Sequence, residues 1–209
     1  MPDLKDSPLL RPFFVPILQH LWEGSGDLNR ELASTILAQE ARSKGAVLSN
    51  VGGWQSTHDF MAWTGEAGRV VGRRILEAAS HATTLLLSHH GTTAKFSWKV
   101  AIWANIIRRG HWHKMHYHPG ATWSGAYYVD PGEAAPPETP GAGKIAFMDP
   151  VLAGQMTFLS GLVPQYLEVE PKAGLMILFP AYLPHLVNPY LGERPRIGIA
   201  FNVHKEPYP

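Results

Sequence analysis

Gly110-His111-Trp112-His113-Lys114-Met115-His116-Tyr117-His118-Pro119-Gly120 packs four of the chain's 11 histidines into eight residues. In an extended strand, side chains two apart share a face, so His116-x-His118 offers two imidazoles to one ion. Neutral imidazole suits iron, zinc, copper or nickel, and a first-row ion with open positions needs a third ligand from elsewhere. Histidines beside a turn need no metal, so the pair gains weight only from a partner.

A candidate partner lies about 70 residues on. Residues 171–185 read as a turn, the apolar strand Gly174-Leu175-Met176-Ile177-Leu178-Phe179, a second turn (Pro180-Ala181-Tyr182-Leu183-Pro184) and then His185. Beyond a further turn, Arg196 opens another apolar strand. A buried arginine there can make a bidentate pair with the carboxylate of a bound acid; alone, it would read as an exposed charge at a strand start. His111 and His113 are either spare ligands or solvent-facing loop residues, and His89-His90-Gly91 reads as a turn.

Around this centre the second half of the chain reads as strands. Phe96, Trp98, Val100, Ile102 and Ile106 alternate as a half-buried strand requires, and residues 123–129, 144–148, 174–179 and 196–203 give further strands. Residues 131–143 hold four prolines and three glycines, a loop projecting from the sheet. The first half differs. Arg11-Pro12-Phe13-Phe14-Val15-Pro16-Ile17 is extended, with prolines suited to an edge. Asp27 is placed to cap a helix carrying Leu28, Leu32, Ile36 and Leu37 that stops at Gly45, and a second helix covers about 68–82. Gly52-Gly53-Trp54-Gln55 between them is either a wall over the pocket or a packing corner. The expected architecture is one domain over 1–209, in which a helical layer (1–90) packs on a mainly β core (91–209) of about eight short strands, a barrel or sandwich.

Composition removes several classes. The chain has no cysteine, which excludes disulfides, thiolate zinc sites, iron–sulfur clusters and a cysteine nucleophile. A formal net charge of +1 argues against nucleic acid as a partner. No apolar run approaches the roughly 20 residues that span a bilayer, and Met1-Pro2-Asp3-Leu4-Lys5-Asp6 does not begin a secretory signal. The expected setting is cytoplasmic. G-x-S-x-G, P-loop and H-E-x-x-H motifs are absent, so hydrolase and phosphate-loop chemistry have no support.

In order along the chain stand Asn50-Val51-Gly52-Gly53-Trp54-Gln55-Ser56, Trp103-x-Asn105, His116-x-His118-Pro119, Ser124-Gly125-Ala126-Tyr127-Tyr128-Val129, Phe147-Met148-Asp149-Pro150, the segment from Phe179-Pro180 to His185, and Arg196-Ile197-Gly198-Ile199-Ala200-Phe201-Asn202. This series resembles the 2-oxoglutarate/Fe(II) oxygenases of bacteria and phages, from about Phe14 to Asn202. The resemblance implies a double-stranded β-helix (a jelly-roll, cupin-like core), Fe(II) held by His116, His118 and His185, and 2-oxoglutarate as cosubstrate with its C5-carboxylate on Arg196. Asn105 and Tyr127 would line the same cofactor pocket. The implied activity is hydroxylation of a small-molecule or peptide substrate. Separately, exposed edge strands and the apolar N-terminal segment point to a homodimer, and composition to no membrane or nucleic-acid partner.

The chain departs from the wider superfamily at one position. Where that superfamily usually has aspartate or glutamate, this chain has His118. Three neutral ligands leave an Fe(II) centre with one more positive charge, which strengthens anion binding. Asp130 and Asp149 lie off the required spacing and are expected to cap turns. Two alternatives stay open on the residues alone: a cupin-type three-histidine dioxygenase without 2-oxoglutarate, and a non-catalytic, metal-bearing β-helix that binds a small ligand.

Overall fold

The computed structural model describes residues 14–150 and 166–206. Of the extended segment expected at 11–17, residues 11–13 lie outside the described residues. The first strand, β1 (Leu18–Leu21), begins just after it.

Two helices dominate the first half. Helix α1 (Gly26–Glu40) is preceded by Ser25 rather than capped by Asp27, which sits inside the first turn and pairs with Arg30. There its charge still favours the helix N-terminus. Strands β2 (Asn50–Val51) and β3 (Trp54–Gln55) follow, then the short α2 (Phe60–Trp63) and α3 (Gly65–His89). Helix α3 exceeds its expected span of about 68–82 because Leu86, one turn past Ala82, packs against the same core as Val71, Ile75 and Ala79. His89 is therefore helical, and the turn comes at His90-Gly91.

Among the described residues, eight strands follow residue 90: β4 (Trp98–Ile107), β5 (Trp112–His116), β6 (Trp123–Asp130), β7 (Ile145–Met148), β8 (Tyr166–Val169), β9 (Leu175–Pro180), β10 (His185–Val187) and β11 (Arg196–Lys205). They divide evenly between two antiparallel sheets, ordered β1-β9-β6-β11-β4-β3 and β2-β5-β10-β7-β8. This is the double-stranded β-helix arrangement, with three short N-terminal strands completing the sheet edges.

Alternation along the large sheet sorts side chains between two cores. Ile102, Ala104 and Ile106 of β4, Tyr127 and Val129 of β6, and Ile197, Ile199, Phe201 and Val203 of β11 pack with Leu32, Ile36, Val71 and Ile75 of the helices. The opposite face looks toward the small sheet, where Tyr128, Ile145, Phe147, Phe179 and Leu183 form a second cluster. Burying both faces of β6 and β11 fixes the sheet between a helical layer and an interior cavity.

Between β2 and β3 the chain crosses from the small sheet to the large one through Gly52 and Gly53, both at φ +68°. A Cβ on Gly52 would lie 2.3 Å from the His111 ring. Only glycine meets both demands. Residues 131–143 do not project freely. The Gly143 N–H donates to Pro189 O at 3.0 Å, and Glu133 accepts from the Glu193 N–H at 2.9 Å, so this loop folds against the β10–β11 connection.

Candidate metal centre

The cavity between the sheets has a volume of about 600 Å³, and His116, His118 and His185 all line it. Their ligand atoms lie within 4.8 Å of one another, the only such His, Cys, Asp or Glu group of three or more among the described residues. His116 ends β5 and His185 opens β10, and the two are register partners. His118 lies past the end of β5, not in it. Its backbone N–H donates to Ala181 O at 2.8 Å, which ties it to the turn that leads into His185.

The tautomers follow from the backbone. Nδ1 of His116 is 2.6 Å from Lys114 O, and Nδ1 of His185 is 2.8 Å from Leu183 O. A carbonyl oxygen only accepts, so each Nδ1 carries the proton and each Nε2 keeps its lone pair for the shared centre. His118 Nε2 and His185 Nε2 are 3.3 Å apart. Burial pushes His118 down to about 4 and His185 down to about 3, and lowers His116 as well. Three neutral, converging imidazoles suit a divalent first-row ion. The donor set fits Fe(II).

A bulge brings in a fourth histidine. His185 pairs with His116 while Val187 pairs with His113, so β5 carries one residue more than β10 at this point. His113 and His116, three positions apart, both reach the cavity, while Lys114 and Met115 between them are exposed at its rim. His113 is buried, pushed down to about 4 by burial and then by His116 and Arg196, with Nδ1 3.3 Å from Ser49 Oγ. His111 instead accepts from the Arg108 N–H at 3.1 Å and packs on the glycine corner.

Arg196 is only 4% exposed and lines the same cavity. Its guanidinium lies 5.0 Å from the Tyr128 ring centroid and donates to Gly143 O. No carboxylate among the described residues pairs with it, and none lines the cavity. A buried cation without a counterion is costly unless an anion arrives. Burial raises the Tyr128 hydroxyl despite Arg196 beside it, so this phenol stays protonated.

Asn105 lines the cavity as expected, and its Oδ1 is buried without a hydrogen-bond partner. Tyr127 does not line it. Strand alternation turns Tyr127 toward the helices, where its hydroxyl donates to Asn29 Oδ1 at 2.7 Å and lies 3.4 Å from Arg74 Nη1. The cavity position belongs to Tyr128. Gly52-Gly53-Trp54-Gln55 serves both expected roles: Trp54 is a packing corner whose Nε1 donates to Ser43 O at 2.8 Å, and Gln55 forms part of the cavity wall. Asp130 caps a turn by accepting from the Gly132 N–H at 2.8 Å, and Asp149 lies outside the histidine group. Gln55 and His113, each open to two readings in the sequence, both line the cavity. One sits on a two-residue strand and the other is brought inward by the bulge.

No curated sequence matches the chain. Among solved structures, a Pseudomonas putida prolyl-4-hydroxylase is similar at TM-score 0.61 and 18% identity, over 91% of this chain and 93% of that one. The non-heme alpha-ketoglutarate-dependent epimerase SnoN from nogalamycin biosynthesis is similar at TM-score 0.64 and 9% identity, over 90% and 76%. HygX from Streptomyces hygroscopicus, solved with nickel and 2-oxoglutarate bound, is similar at TM-score 0.57 and 12% identity, over 91% and 83%. These likenesses establish the fold. A family model described as "Putative 2OG-Fe(II) oxygenase" matches residues 101–202, the stretch that carries all three converging histidines and Arg196. Over residues 101–202 the chain is similar to the 2OG-Fe(II) oxygenases.

Proposed function

We propose that this protein is an Fe(II)- and 2-oxoglutarate-dependent hydroxylase, with His116, His118 and His185 as metal ligands and Arg196 as the cosubstrate anchor. The carrying observation is a buried arginine with no carboxylate partner among the described residues, in the same cavity as three converging imidazoles. When bound, Fe(II) and 2-oxoglutarate couple oxidative decarboxylation of the cosubstrate to O2-dependent oxidation of a C–H bond.

The chain's own contribution is binding and orientation. Three neutral imidazoles on one side leave the rest of the coordination sphere to ligands. Arg196 and Tyr128 grip the far carboxylate, and the Tyr128 ring holds the guanidinium in place. The apolar walls of Ile107, Ile145, Phe179 and Val187 limit water around the reacting centre. The unpaired arginine favours this reading over a three-histidine dioxygenase that needs no 2-oxoglutarate.

Exposed Leu48, Met115 and Tyr117 surround the mouth, so the primary substrate presents an apolar surface: a peptide side chain or a small natural product. One relative by fold is a prolyl hydroxylase solved with a peptide fragment, consistent with the first class. We further propose that 1–209 folds as one domain, supported by a core cluster shared between the helices and β4, β6 and β11, and that it works in the cytoplasm. No helix among the described residues is long and apolar enough to cross a membrane.

The test is anaerobic addition of Fe(II) and 2-oxoglutarate, read by the visible charge-transfer band of the chelate. A band in wild type that is lost in Arg196→Ala and His185→Ala supports the assignment, as does succinate formed on admitting air. No band in wild type, or an unchanged band in both variants, rejects it.

A further inference from the structure

Gln55 is 2% exposed, and its side-chain amide forms no hydrogen bond with the described residues. It lies opposite Asn105 across the β3–β4 ladder, and both residues line the cavity. Asn105 Oδ1 is buried without a partner. Cross-strand neighbours have Cβ atoms only about 5 Å apart, so two primary amides stand side by side on the cavity wall. A buried polar atom such as Asn105 Oδ1 is rarely left unpaired. Each primary amide has two N–H donors and one acceptor oxygen to offer.

The strand registers locate the pair. Ile107 is the register partner of Arg196, Asn105 that of Gly198, and Trp103 that of Ala200. The Trp103 ring centroid is 6.1 Å from that of His118. Asn105 and Gln55 therefore flank the midpoint between the anionic anchor at Arg196 and the histidines. The same sheet beside them is kept shallow by Gly198, Ala200 and Ala126. A Cβ on Gly198 would come no nearer than 3.6 Å to another atom, so the missing side chain leaves open space rather than relieving a clash.

We propose that Gln55 and Asn105 form an amide clamp on the cosubstrate, donating N–H bonds to 2-oxoglutarate where it spans from Arg196 to the metal. This rests on the hydroxylase reading above. Gln55 is the new element, because it lies outside residues 101–202 and on a strand appended to the β-helix. A dianion has only acceptors, so it engages the donors of both amides, and Asn105 Oδ1 is then free to take an N–H from Gln55. The clamp makes Gln55 a positioning residue that orients the cosubstrate.

The test is calorimetric titration of 2-oxoglutarate into metal-loaded protein without oxygen, for wild type, Gln55→Leu and Gln55→Glu. Leucine keeps the bulk and removes the donors. Glutamate keeps the shape and repels the dianion. We expect about a tenfold higher Kd for leucine and a larger increase for glutamate, with metal affinity unchanged and the charge-transfer maximum shifted in both. Kd values within twofold of wild type in both variants overturn the clamp while leaving the hydroxylase reading intact. Absence of 2-oxoglutarate binding in metal-loaded wild type overturns both together. If the leucine variant fails to fold, the glutamate variant decides alone by the same criterion.

Discussion

His118 and His185 are 67 residues apart in the chain, yet their Nε2 atoms stand 3.3 Å from each other. Main-chain bonds hold both: the His118 N–H to Ala181 O, and His185 Nδ1 to Leu183 O, so one turn positions the two rings. On the proposed assignment, removing either ring takes away a primary ligand, where losing even an outer-shell partner costs about 10–100-fold in affinity. His118→Ala and His185→Ala are each expected to weaken Ni(II) binding by at least about 100-fold in chelator competition. His118→Asp should keep the metal while lowering the net charge of the centre. We expect 2-oxoglutarate affinity to fall by about tenfold in that variant, read by calorimetry.

Arg196→Ala should leave metal binding intact and abolish cosubstrate retention. Truncating one partner of a buried charge pair costs about 2–5 kcal/mol, or at least about 30-fold in Kd. Arg196→Lys is expected to recover little, because an ammonium can neither make the bidentate contact nor stack on Tyr128 in the same way. Equal 2-oxoglutarate affinity in wild type and Arg196→Ala would show that the anchor lies elsewhere.

The adjacent tyrosines should separate stability from binding. Tyr127→Phe removes the hydroxyl that donates to Asn29 on α1, and is expected to cost about 1 kcal/mol in urea unfolding with unchanged cosubstrate affinity. Tyr128→Phe faces the cavity and should do the reverse. Opposite results would reassign the two faces of β6.

Acid should unfold the metal-free protein early. Burial holds His113 at about 4 and His185 at about 3 in the folded state, against about 6.5 in the unfolded chain. The folded pKa values are depressed, so below pH 6.5 the unfolded state binds more protons. The stability is fully present above about pH 6.5 and is lost as pH falls from there toward 4 and 3. On the order of a few kcal/mol should disappear between pH 7 and pH 5, seen as a lower urea midpoint. His113→Gln should flatten part of that slope.

Much of this was legible in the residues. His116, His118, His185 and Arg196 stand in the motif order that the sequence displays, and the eight-strand core follows from the alternation after residue 90. The phase of β6 was not legible, because both of its faces are buried and alternation without polarity cannot say which face meets helices and which meets the cavity. Tyr127 was therefore expected where Tyr128 stands. Gln55 was left between a wall and a packing corner because two residues of strand carry no period, and β10, three residues long, is visible only through its histidine. The expected end of α3 fell short because Thr83 and Thr84 interrupt the apolar face after Ala82, while Leu86 goes on packing against the core.

The extra residue in β5 makes the cavity face tolerant of a change in length. Lys114 and Met115 are exposed, and deleting one of them would leave His113 two residues from His116, still opposite Val187 in a ladder without the bulge. Both histidines would then share the cavity face by simple alternation. Loss of both residues would instead turn His113 to the other face of the strand.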